Sequence, residues 1–161
     1  MRHHRGGPRA FRFLVLHGPN LNLLGQREQA VYGTTTLTSI NSAITRAARG
    51  EGVRVTIKQS NREAELVEWI QGAKGRYDAV IINPAAYTHT SVAIRDAITA
   101  VEVPTIEVHL SNIYRREAFR LRSYTAGVVV GQISGFGPNG YLLALKAAVA
   151  NLRKTDASHA R

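Results

Sequence analysis

Short β-rich runs alternate along this chain with longer segments whose apolar residues recur at helical spacing, and that alternation restricts the fold more than any other feature. Residues 11–16 read as a first strand. Residues 37–48 follow with Leu37, Ile40, Ile44 and Ala47 on one helical face. Residues 53–57 alternate as an edge strand does. Asn61 is placed to cap a helix in which Leu66, Val67, Ile70 and Ala73 share a face. Residues 79–82 form a continuous apolar strand, the pattern expected when both faces are covered. Ser91 caps a helix over 92–101, Pro104 opens a strand over 105–108, residues 126–131 give the fifth strand, and 141–152 an amphipathic helix.

Strands separated by helices predict an α/β fold, a doubly wound five-stranded parallel sheet. The simplest right-handed arrangement is the flavodoxin-like strand order 2-1-3-4-5. That order fixes where function lies, because ligands bind beyond the carboxyl ends of the strands where the winding reverses. The loops after the first, third and fourth strands should therefore face one crevice. A chain of 161 residues suits one domain, expected over 11–152, with a basic, disordered tail at 1–10 and a second tail at 153–161.

Hydrophobic residues make up 44% and charged residues 20%, an ordinary globular composition. No apolar run is long enough for a membrane span. The chain has no cysteine, which removes disulfides, thiolate nucleophiles and cysteine-ligated metal, and fits a cytoplasmic location. The net charge of +10 raises the question of nucleic acid. Residues 13–152 carry 14 basic and 10 acidic residues, only +4, so more than half of the excess lies in residues 1–12 and 153–161. No interleaved aromatic and basic stripe accompanies it, which argues against nucleic-acid binding.

Three loops carry the chemistry. Residues 17–33 (HGPNLNLLGQREQAVYG) contain Asn20, Arg27 and Tyr32. This loop is long for its position, as lids and binding loops are. Residues 83–91 (NPAAYTHTS) bring Asn83 and His89, and lead into a helix bearing Asp96. Residues 107–120 (EVHLSNIYRREAFR) bring Glu107, His109, Leu110, Ser111 and Arg120. Each residue alone has a structural alternative: a packed ring for Tyr32, a satisfied core histidine for His109, a solvated face for Asp96, surface charge for Arg115 and Arg116. His17 receives no role. Nucleophile-elbow, P-loop and dinucleotide fingerprints are absent. The lysines (Lys58, Lys74, Lys146 and Lys154) all lie outside the three loops, which argues against Schiff-base chemistry. Metal-ligand spacing around His89 and His109 is missing.

The strings HGPNLNLLGQREQAVYG, NPAAYTHTSVAIRDA, IEVHLSN and GFGPNGYLLAL, in this order, resemble the type II 3-dehydroquinate dehydratases over residues 11–152. The resemblance implies a flavodoxin-like fold, no metal or cofactor, and a dodecamer built as a tetramer of trimers. It implies conversion of 3-dehydroquinate to 3-dehydroshikimate in the shikimate or quinate pathway. Carried onto this chain, Tyr32 matches the base, Arg27 its neighbouring cation and His109 the general acid. Asn20 matches the residue holding a water against the enolate, and Glu107 the carboxylate that orients His109. Asn83, His89, Asp96, Leu110, Ser111 and Arg120 match substrate-binding positions. Gln29 stands where many members have proline. The competing readings from the residues are a flavodoxin-like module that binds a small anion without turnover, and a basic protein associated with nucleic acid.

Overall fold

The structure is a computed structural model that describes residues 9–26 and 29–159, without the side chains of Gln29, Tyr32 and His159. Arg27 lies outside the described residues, as does all of the expected basic tail except Arg9 and Ala10.

In chain order the main elements are β1 (Arg12–His17), α1 (Gln29–Tyr32), α2 (Leu37–Gly50), β2 (Arg54–Gln59), α3 (Glu63–Gln71), β3 (Ala79–Asn83), α4 (Val92–Val101), β4 (Thr105–His109), β5 (Gly131–Ser134) and α5 (Asn139–His159). The sheet runs β2-β1-β3-β4-β5 and every pairing is parallel, the expected order. β3 is buried along its whole length at the centre, while β2 at one edge is half-exposed. Side-chain alternation splits the core in two. Phe13, Val15 and Ile81 face α2 and α5, where Ile40, Ile44, Tyr141 and Leu145 cover them. Leu14, Leu16, Val80 and Ile82 face α3 and α4 and meet Leu66, Ile70, Ile94 and Ile98.

Local signals explain the helices. Ser91 Oγ accepts the Ile94 amide at 2.9 Å and starts α4. Thr36 does the same for α2, accepting from Ser39. The expected Asn61 cap of α3 is not found: Arg62 is the N-cap residue and the helix has no side-chain cap bond. Ser60 Oγ accepts the Arg62 amide at 2.9 Å just before it, and Asn61 has another task.

The fifth strand also falls elsewhere than expected. Residues 126–130 form turns, with the Val128 amide bonded to Thr125 O at 3.0 Å. Val128 and Val129 pack against the α3 and α4 side of the core, so their apolarity serves that contact and not a ladder. Pairing with β4 begins at Gly131, opposite Ile106. The last helix runs on to His159, beyond the expected end at 152. Among the described residues no helix is long and apolar enough to cross a membrane.

Ile81 is 1% exposed at the middle of the central strand. Ile81→Ala should cost about 2–5 kcal/mol of stability, read as a lower urea midpoint at unchanged slope.

Candidate active site

Winding reverses between β1 and β3, where His17 pairs with Asn83. The loop after β1 is pinned there. The Gly18 amide donates to Asn83 O at 2.7 Å, and a Cβ on Gly18 would lie 2.7 Å from the Pro84 carbonyl carbon. Only glycine allows that approach. Asn20 then adopts the left-handed conformation, φ 67°. Its amide donates to Asn61 Oδ1 at 2.9 Å, and Gln59 Nε2 donates to both Gly18 O and Asn61. Asn61 thus anchors the loop that carries Asn20.

The loop after β3 turns at Asn83 itself, whose Oδ1 accepts the Ala85 amide at 3.0 Å. A short 3-10 turn, Ala85–His89, follows. His89 Nδ1 lies 2.7 Å from the Arg122 carbonyl, so Nδ1 carries the proton. Partial burial first, and then the charges of Arg120 and His109, lower its pKa from the ordinary value against the pull of that carbonyl. Neutral His89 therefore keeps Nε2 as an acceptor.

β4 supplies the central pair. Glu107 and His109 are two residues apart, hence on one face, and His109 Nε2 lies 2.6 Å from Glu107 Oε1. Glu107 is wholly buried. Thr88 and Thr125 hydroxyls donate to it at 2.6 and 2.8 Å, and Gln132 Nε2 at 3.1 Å. Burial opposes its charge, but the bond from His109 and those from the threonines outweigh it and hold the carboxyl below its ordinary value. A hydroxyl has one proton, so with both threonines donating to Glu107, Ser123 donates to Thr88, 2.8 Å away. Glu107 takes Nε2–H of His109 and leaves Nδ1 toward the cavity.

That cavity is lined by Asn83, His89, His109, Leu110, Ser111 and Arg120, together with Leu21, Ala85, Ile113 and Arg116. The three loops meet as the strand order requires. Arg116 reads as surface charge in the sequence, yet it shares the wall with Arg120; their guanidinium Nε atoms lie 3.6 and 2.7 Å from Glu117 Oε2. Two other expected residues stand apart. Asn20 is exposed and not part of the lining. Asp96 is exposed on the outer face of α4, because Ile94, Ala97, Ile98 and Val101 take the inner one. The Arg27 position and the Tyr32 side chain lie outside the described residues. Sequence reasoning missed Thr88, Thr125 and Gln132, whose roles come only from sharing one carboxylate across three segments.

Beneath the crevice, His17 is fully buried, with Nε2 2.8 Å from Asn41 Oδ1 and Nδ1 2.7 Å from the Tyr141 hydroxyl. Burial, against the Asn41 bond, lowers its pKa to about 4.

The Dehydroquinase class II family model matches residues 11–149. A 3-dehydroquinate dehydratase of Nostoc sp. is 61% identical over 140 residues, covering 87% of this chain and 95% of that one. Two solved structures are similar. The type II dehydroquinase of Propionibacterium acnes superposes with TM-score 0.84 at 41% identity, covering 88% of this chain and 97% of that one. The type II dehydroquinase of Butyrivibrio crossotus gives TM-score 0.85 at 41% identity, covering 86% and 97%.

His17 sets an expected pH dependence. An unfolded histidine titrates near 6.5, and the folded one near 4, so the unfolded chain binds the extra proton between those values. Stability from this group is full above pH 6.5, falls as the pH drops toward 4, and is lost below. The full loss is on the order of 3 kcal/mol. Urea midpoints of wild type should fall across that window, and His17→Gln should flatten the fall.

Proposed function

The chain belongs to the class II dehydroquinase family, and on that premise we propose that it dehydrates 3-dehydroquinate to 3-dehydroshikimate through an enolate, as a step of the shikimate pathway toward chorismate and the aromatic amino acids. The observation that carries this reading is the buried Glu107–His109 pair opening onto a polar cavity. A module that merely held an anion would have no use for an imidazole oriented by a carboxylate.

The hydrogen alpha to a ketone is weakly acidic, and its removal needs a positioned base and a donor for the enolate oxygen. Tyr32 is the proposed base. A phenol has an ordinary pKa of about 10, and lowering it by ~3 units requires about 4 kcal/mol of preferential stabilisation of the tyrosinate. Arg27, five positions earlier in the same loop, is the proposed source of much of that. Asn20 holds a water against the enolate oxygen, giving a hydrogen bond without a full charge. The enolate then reforms the ketone as the carbon–carbon double bond forms, and the β-hydroxyl leaves as water with the Nδ1 proton of His109 in its imidazolium form, which returns to the neutral ring with Nε2–H still on Glu107. Glu107 fixes the imidazole ring and tautomer through Nε2.

The substrate carboxylate meets Ser111 and the backbone at Leu110, where amides at the end of β4 suit an anion. His89, Asn83 and Arg120 hold ring hydroxyls and select the reacting face. Asp96 faces outward from α4, so the proposed homo-oligomer, a tetramer of trimers, is what brings it to a crevice, that of a neighbouring copy. Exposed Phe119, Leu121, Val130 and Phe136 support such burial between copies. The proposed location is the cytoplasm.

Purified protein mixed with 3-dehydroquinate should generate enone absorbance. Tyr32→Phe should lower turnover at least about a hundredfold with the fold intact; near-normal turnover would remove tyrosine as the base. His109→Ala should stop elimination while exchange of the alpha hydrogen with solvent deuterium continues, followed by NMR. Loss of both together would assign His109 to an earlier step.

A further inference from the structure

One segment outside the three loops also reaches the crevice from behind. Residues 122–125 lie between the 3-10 turn Ala118–Leu121 and β5, in irregular backbone. Three bonds strap this segment down. His89 Nδ1–H donates to the Arg122 carbonyl at 2.7 Å. The Tyr124 amide donates to Thr88 O at 2.8 Å. Arg95 Nη1, from α4, donates to the Tyr124 carbonyl at 2.7 Å. Of the two hydroxyls the strap carries, Thr125 is fully buried and Ser123 half-buried.

These hydroxyls end on the carboxylate behind His109. An ionised carboxylate only accepts, so Thr125 donates to Glu107 Oε2 at 2.8 Å and Thr88 to Oε1 at 2.6 Å. Oε1 is also the partner of His109 Nε2 and Gln132 Nε2. Among the described residues Thr125 is the one donor to Oε2. Ser123 Oγ accepts the Ala126 amide at 3.0 Å, closing the turn of the strap, and passes its proton to Thr88, 2.8 Å away. Without the Thr125 hydroxyl, one carboxylate oxygen would be bare where water does not reach. The group would then turn to share its remaining donors, and Oε1 would leave the line of His109 Nε2.

The two crevice histidines are held by opposite nitrogens. His89 spends Nδ1 on the strap and offers Nε2, while His109 spends Nε2 on Glu107 and offers Nδ1. Both choices trace to residues 122–125, one through a carbonyl and one through Thr125. None of these four residues lines the cavity. We propose that the strap is the positioning element of both histidines: the Arg122 carbonyl holds His89 with Nε2 toward the cavity, and Thr125, acting through Glu107, holds His109 with Nδ1 toward it. This rests on the reading of His109 as the acid. Thr125 is thereby a positioning residue for elimination, and the start of the strap a positioning element for binding.

The test is dehydration of 3-dehydroquinate by the full chain, followed by enone absorbance, with exchange of the alpha hydrogen for solvent deuterium followed by NMR. Thr125→Val keeps the shape of the side chain and removes the donor. Its kcat should fall about tenfold or more, with KM changed less than about threefold and exchange continuing. Thr125→Ser returns the hydroxyl and should bring kcat back to within about threefold of wild type. Ser123→Ala leaves Glu107 all its donors but loosens the strap under His89, so it should raise KM about threefold with kcat near wild type. Leu145→Ala, on α5 across the sheet, should lower Tm and leave both constants unchanged, which separates positioning from general stability. A folded Thr125→Val enzyme with wild-type kcat, or one that loses exchange together with elimination, would overturn the role of Thr125. So would a Thr125→Ser enzyme as slow as Thr125→Val. If Thr125→Val does not fold, Thr125→Cys, whose thiol is a weak donor, is read by the same criteria. Wild-type KM in Ser123→Ala would overturn the joint hold on His89. Wild-type elimination by His109→Ala would instead remove His109 as the acid, which is a failure of the underlying reading.

Discussion

A carboxylate with no solvent exposure stays charged inside this fold because donors from separate segments surround it: His109 on its own strand, Thr88 from the loop after β3, Thr125 from the turn before β5, and Gln132 on β5. Three of these donors share Oε1, while among the described residues Thr125 alone donates to Oε2, so removing Thr125 leaves a buried acceptor unpaired, which is expensive. The same bonds draw the loops after β3 and β4 together and orient the imidazole that faces the cavity. Glu107 is thus at once the knot of the crevice and the support of its proposed acid.

The crevice straddles the upper edge of the sheet. Glu107 and His109 stand on the α3 and α4 side, where β4 puts alternate residues. Asn83 and His17 stand on the α2 and α5 side. Each face brings its own polar network, one centred on a charge and one on neutral groups of defined direction. The charged network orients the imidazole of the proposed acid, while the neutral one joins β1 to α2 and α5 beneath the crevice. Both are anchored in close-packed core.

Much of this was legible in the sequence, and the reason is periodicity. The continuous apolar run of β3 and the spaced Ile40, Ile44 pair of α2 gave the elements; handedness then gave the strand order and the edge where loops meet. Asn83, His89, His109, Leu110, Ser111 and Arg120 could be grouped because they follow strand ends. The fifth strand was misplaced because three consecutive valines look like a strand whether they enter a ladder or cover a helix. Asn61 was misread because an asparagine before a helix is an ordinary cap, whereas here α3 has no side-chain cap and Asn61 Oδ1 accepts the backbone amide of Asn20 instead.

The sequence by itself determined the fold class, the strand order and the set of loops that face the crevice, since these follow from local pattern and chirality. Tertiary structure alone decided which polar groups share a proton: that Thr125 serves Glu107, that Arg116 joins Arg120 on the wall, that Asp96 faces away, and that His17, silent in the sequence, meets Tyr141 across 124 positions. Such pairings depend on distances near 3 Å between residues remote along the chain, and no local preference encodes those.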